Sequence, residues 1–98
     1  MADALTSIIA RIIAERSRFT LSQLLEEYNN IVFSGNALCT NWGTYRANGR
    51  EMLACMSVLY VVEYLRAIRA IRVRNEGDDR VIEVANSDML RQLIERRV

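Results

Sequence analysis

The chain has no proline, no histidine and no lysine among its 98 residues, and only two cysteines. The missing proline argues against an unstructured linker of the Pro-rich kind. The missing histidine removes the commonest general base and metal ligand. A structural zinc needs about four nitrogen or sulfur ligands, and two cysteines cannot supply them within one chain. No cofactor is therefore expected. The missing lysine leaves thirteen cationic side chains that are all arginine. Arginine's planar fork suits phosphate, carboxylate and stacked bases, and codon or lineage bias accounts for the excess equally well. Cys39 and Cys55, with no secretion signal ahead of them, read as reduced thiols of a cytosolic or nuclear protein. The opening MADALTSIIARIIAERS is broken by Arg11, Glu15 and Arg16, so it reads as neither a secretion signal nor a membrane span.

Catalytic signatures are equally scarce. There is no glycine-rich phosphate loop, and Ser57, Cys39 and Cys55 have no activating partner nearby in sequence. Glu26 and Glu27 are neighbours on a helix, so their carboxylates diverge rather than converge on a substrate. These features favour a binding module over an enzyme.

What is present is an ordinary globular composition, 51% apolar and 26% charged with net charge +1, enough for a single core. Leu5, Ile8, Ile9, Ile12 and Ile13 predict a first amphipathic helix from about residue 3 to Arg16. Ser17 and Arg18 then form a tight connection. The chain is organised around Phe19–Gly35, FTLSQLLEEYNNIVFSG. Thr20 and Gln23 have the spacing of a capping box, and Phe19 and Leu24 that of a hydrophobic staple. Leu21, Leu24, Leu25, Tyr28, Ile31 and Val32 make one apolar face. Ser22, Gln23, Glu26, Glu27, Asn29 and Asn30 make the polar one.

Ser34-Gly35-Asn36 ends that helix. A loop with a short turn is expected over Ala37–Asn48, followed by a helix over roughly Arg50–Met56. Val58, Val61, Val62, Leu65 and Ile68 define another helix over Ser57–Ile68, with Glu63, Arg66 and Arg69 on its opposite side. The period then becomes two. AIRVRN and RVIEVA flank the turn EGDD, a β-hairpin with Ile71 and Val73 alternating with Arg72 and Arg74. Asn86-Ser87-Asp88 offers caps for a last helix carrying Met89, Leu90, Leu93 and Ile94 on one side, with Arg96 and Arg97 near its C-terminus. Helices followed by a hairpin give the predicted class: α+β, mainly helical, a winged helix-turn-helix with a C-terminal β-hairpin wing and an additional C-terminal helix. The division is a body over residues 3–85 and an extension over 86–98.

Three pieces of this pattern resemble the LOTUS (OST-HTH) family, winged-helix domains of germline RNA-regulatory proteins. These are the apolar first helix leading into TLSQLLEEY, the glycine that follows (Gly35), and EYLRAIRAIRVRNEGDDRVIEV over Glu63–Val84. The likeness spans about Leu5–Val84. It departs from the family over Leu38–Met56, which is longer, and at Arg69-Ala70, where a proline is usual. The helix after the wing resembles the extended subclass, found in Oskar and in Tudor-domain germline proteins. The resemblance implies a protein-interaction module that binds the C-terminal RecA-like lobe of a Vasa-type DEAD-box helicase in cytoplasmic, perinuclear germ granules, with stimulation of its ATPase. Minimal members lacking that helix are linked instead to RNA.

The residues expected at such an interface are Gln23, Glu26, Glu27 and Asn30 on the second helix and Leu90, Leu93, Ile94 and Arg97 on the last. The bland reading of the first set is a solvated face, and of Leu90, Leu93 and Ile94 a docking on the domain's own core. A short terminal helix is also marginal alone and can order on a partner. The alternative function is a nucleic-acid-binding winged helix using Arg72, Arg74 and Arg80 on phosphates. Glu76, Asp78 and Asp79 cancel much of that charge, and no clustered basic face is evident in sequence. A homodimer through the wing is a further expectation, because Val81 points away from Ile82 and Val84 and a hairpin has open edges.

Overall fold

The computed structural model describes residues 4–16 and 18–95. The order of elements is α1 (Ala4–Arg16), β1 (Arg18–Thr20), α2 (Leu21–Phe33), β2 (Trp42–Ala47), β3 (Arg50–Cys55), α3 (Met56–Ala67), β4 (Ile71–Glu76), β5 (Asp79–Val84) and α4 (Ser87–Glu95). About half the chain is helical. Two antiparallel sheets complete an α+β fold: β1-β5-β4 and the separate pair β2-β3. The radius of gyration is 12.7 Å, close to the roughly 13 Å of a compact chain of this length. No described helix is long and apolar enough to cross a membrane.

The capping box forms as its spacing predicts. Gln23 N–H donates to Thr20 Oγ1 at 3.2 Å, and Thr20 N–H to Gln23 Oε1 at 3.0 Å. Phe19, Leu24, Leu25 and Tyr28 are buried together with Ile9 and Ile13 of α1 and Val58, Val62 and Leu65 of α3. Ile71 and Ile82 roof this core from the larger sheet. Of the expected tight connection, Ser17 lies outside the described residues, and Arg18 belongs to a strand: Arg18, Phe19 and Thr20 pair with Glu83, Ile82 and Val81. β5 is consequently central, and β4 is an edge.

The predicted helix over Arg50–Met56 does not form. Those residues build β3, which pairs with β2 from Trp42↔Cys55 to Ala47↔Arg50. The cause is the turn between them. Asn48 and Gly49 both have positive φ, 55° and 74°, the conformation of a type I′ hairpin turn, which Asn-Gly favours strongly. The expectation of a helix from Arg50 passes over that Asn-Gly signal.

The hairpin also overturns the reading of the cysteines. It carries Cys55 back to the loop after α2, where Cys39 and Cys55 are joined in a disulfide with Cα atoms 6.0 Å apart. Spacing along the chain does not reveal a pairing created by a hairpin. Asn29, placed by periodicity on the polar face of α2, is covered too: it is buried, and its Nδ2 donates to Leu53 O at 2.9 Å.

The helix after the second hairpin starts as expected, with Met89 N–H donating to Asn86 Oδ1 at 3.1 Å. It lies against α1: Leu90 is fully buried in the common core, and Ser7 Oγ donates to Leu93 O at 3.2 Å. Body and extension thus share one core. The terminal arginines Arg96 and Arg97 lie outside the described residues.

Candidate interaction surfaces

The polar residues singled out on α2 come together. Gln23, Glu26, Glu27 and Asn30 line one shallow recess of about 250 Å³ with Arg16 of α1. A helix turn every 3.6 residues brings positions 23, 26, 27 and 30 to one face. Gln23 is committed to the capping box, and Glu27 Oε1 takes Arg16 Nη2 at 3.2 Å. Glu27 Oε2 is buried with no hydrogen-bond partner among the described residues. Glu26 and Asn30 face solvent.

The α4 residues divide differently. Leu90 is spent on the domain's own core, and Leu93 and Ile94 are half-buried against it. The outward side carries Asp88, Arg91, Gln92 and Glu95 around a second recess of about 220 Å³. Arg91 pairs with Asp88 one turn back.

The wing arginines separate. In a strand successive side chains alternate faces, so Arg72 and Arg74 share the face of Glu83, while Arg80 lies on the other. Arg72 and Arg74 open onto a cleft of about 870 Å³, also lined by Arg18, Arg66, Arg69 and Glu83, with Ile71, Val73 and Ala85 as its apolar part. Sequence reasoning placed Arg66 and Arg69 on the helix side opposite the apolar residues and gave Arg18 no binding role. The three reach this cleft only because β1 and α3 flank the sheet.

Charges inside the cleft are partly neutralised. Arg74 lies 3.4 Å from Glu83 and 3.6 Å from Glu76, and Arg18 lies 3.8 Å from Glu83. Arg66 pairs with Glu63 at 2.9 Å, and that hydrogen bond holds the Glu63 carboxyl below its ordinary range. Arg69 and Arg72 have no ion pair among the described residues. Arg69 also adopts φ 67°, where an arginine is strained and glycine is usual.

Asp79, expected only as a turn charge, is a structural hub and 5% exposed. Its carboxylate accepts from the Ser22 hydroxyl, from Ser22 N–H at 3.4 Å, from Tyr45 Oη at 2.8 Å and from Arg80 N–H at 2.8 Å. Burial opposes its ionisation, yet these donors outweigh it and hold the carboxyl below the usual range. Burial first, then the bond to Asp79, pushes the Tyr45 phenol up to about 12. This hub ties the start of α2, β2 and the wing turn together. Val81 does lie opposite Ile82 and Val84, but it is buried, so it offers no apolar patch for a second copy.

Comparison with protein-family models, curated proteins and solved structures finds no match to this chain. The likeness to LOTUS domains therefore rests on the residues that carry it.

Proposed function

We propose that the domain is a winged-helix adaptor of the extended LOTUS kind, with the β2–β3 hairpin inserted between α2 and α3. Its partner on this reading is the C-terminal RecA-like lobe of a Vasa-type DEAD-box helicase in germ granules. The element order supports it: helix, short strand, helix, then helix and hairpin, with the first strand beside the last in one sheet. The extra helix α4 follows the hairpin, as in the extended subclass.

The observation that carries the reading is the α2 recess. Glu26 and Asn30 are exposed and make no contribution to the core, and Glu27 beside them is half-buried. Such a face attracts a basic or hydrogen-bond-donating surface and repels phosphate. The outward residues of α4 would add polar contacts, while Leu90 keeps that helix in place. On binding, the domain would favour the lobe arrangement that turns ATP over faster.

Calorimetric titration of residues 1–98 with the isolated C-terminal lobe of a Vasa-type helicase tests this. The Glu26→Arg, Asn30→Arg double variant should weaken binding by about tenfold or more while leaving the far-ultraviolet dichroism unchanged. Undiminished binding by a folded double variant would remove α2 from the interface. No binding by the unaltered domain would end the helicase reading.

A further inference from the structure

The arginine cleft lies along the outer edge of β4, unpaired among the described residues, and the hairpin register fixes which backbone groups face away from β5. Glu76 and Asp79 close a two-residue loop, and Ala85 N–H donates to Ala70 O at the other end. In an antiparallel ladder, hydrogen-bonded pairs alternate with non-bonded ones. The N–H and C=O groups of Arg72 and Arg74 therefore point inward to β5, and those of Ile71, Val73 and Asn75 point away from it; Ile71 is 2% exposed, so Val73 and Asn75 form the accessible edge. Ile71 and Val73 line the cleft alongside the arginines.

We propose that the free edge of β4 is a docking site for an extended acidic peptide, added as a fourth strand to the β1-β5-β4 sheet. Its backbone would pair with Val73 and Asn75. Its side chains would alternate. Those on one face would be carboxylates meeting Arg72 and Arg74, whose face the edge shares with Arg18. Those on the other would be small or β-branched and apolar, extending the face of Ile71 and Val73. Arg66 and Arg69 would hold the end of the peptide nearest α3.

Charge selects the occupant. A second copy of this strand would bring Arg72 and Arg74 against their own counterparts, and like charges directly opposite each other are destabilising. A phosphodiester backbone would satisfy the arginines but leave the edge N–H and C=O groups unused. An acidic strand satisfies both. Arg69 and Arg72, without carboxylate partners in the described fold, are the two cations most ready to accept one.

The test uses residues 1–98 labelled with nitrogen-15 and a capped peptide alternating glutamate and valine. Expected are saturable binding, slowed amide exchange at Val73 and Asn75, and loss when the peptide's valine amides are N-methylated. The Arg69→Ser, Arg72→Ser double variant should weaken binding roughly tenfold, with its own amide spectrum showing an intact fold. Binding that survives N-methylation would overturn the proposal. So would single-stranded oligouridylate that displaces the peptide and binds more tightly, assigning the cleft to phosphate. Absence of peptide binding would leave the arginines as guards against edge pairing and equally overturn it. None of these readouts involves the α2 recess, so the helicase reading stands or falls separately.

Discussion

The two hairpins of this domain obey different rules. β4–β5 carries Ile71, Val73, Ile82 and Val84 on one face and is one layer over the core, with β1 pairing its far side. β2–β3 belongs to no larger sheet. Its strands contain Gly43, Ala47, Met52 and Ala54 where branched residues would favour a strand. A two-stranded hairpin alone is marginal in water. This one is held by side-chain tethers: Tyr45 to Asp79, Asn29 to the Leu53 carbonyl, the Cys39–Cys55 disulfide, and Phe33 stacked on Trp42 with centroids 5.8 Å apart. One hairpin is stabilised by burial of its own residues, the other by what it is tied to.

Cutting the tether shared by both hairpins should have the largest effect. Asp79→Ala orphans donors from Ser22, Tyr45 and Arg80, at a cost of about 3 kcal/mol in urea unfolding. The pH dependence follows from the depressed carboxyl. Its stabilisation is complete above the unfolded value near 4 and is lost as pH falls through the lower folded value. Asp79→Asn should flatten that acid limb. An acid limb unchanged in Asp79→Asn would show that the hub is not what titrates. At the alkaline end, Tyr45 contributes stability below its unfolded value near 10, and this is lost as pH rises through about 12.

Opening the disulfide should come next. It closes a loop of 16 residues along the chain, a constraint of about 2–3 kcal/mol on the unfolded state. With dithiothreitol, amide exchange should quicken across 42–55 and stay unchanged across 71–84. Equal quickening in both would show that the hairpins are not independent. The germ-granule proposal places the domain in a reducing compartment, where such bonds do not persist. There the first hairpin would depend on Asp79, Asn29 and Trp42 alone.

The same contrast explains what could be read from the sequence. α1, α2, α3, β4, β5 and α4 show themselves because each buries its own periodic apolar residues, and the Thr20–Gln23 box and Asn86 cap mark two of the helix starts. β2–β3 buries little of its own, so periodicity is silent and only Asn48-Gly49 betrays it. Asp79, Tyr45 and Asn29 act through partners that meet only after that hairpin folds. The α2 part of its recess was legible because Gln23, Glu26, Glu27 and Asn30 lie on one helix, whereas Arg16 of α1 was not. The arginine cleft was not, because its cations come from β1, α3, the turn after α3 and β4.

The smallest effect separates two helix ends of identical form. After α2, Gly35 N–H bonds to Val32 O and Asn36 N–H to Ile31 O. After α3, Arg69 N–H bonds to Arg66 O and Ala70 N–H to Leu65 O. Both are Schellman caps with a left-handed residue, φ 86° at Gly35 and 67° at Arg69. Only the first has the residue such a cap prefers. Gly35→Ala should therefore destabilise by about 1 kcal/mol, with open space around the new methyl leaving backbone strain as the cause. Arg69→Gly should stabilise by about 0.5 kcal/mol, since relief of the left-handed strain exceeds the added freedom of the unfolded chain. A gain in melting temperature together with weaker glutamate–valine peptide binding would show that this arginine is held at a cost to the fold for the sake of the cleft. A loss of stability would instead make Arg69 a structural residue, its side chain supporting the end of α3 more than its backbone strains it.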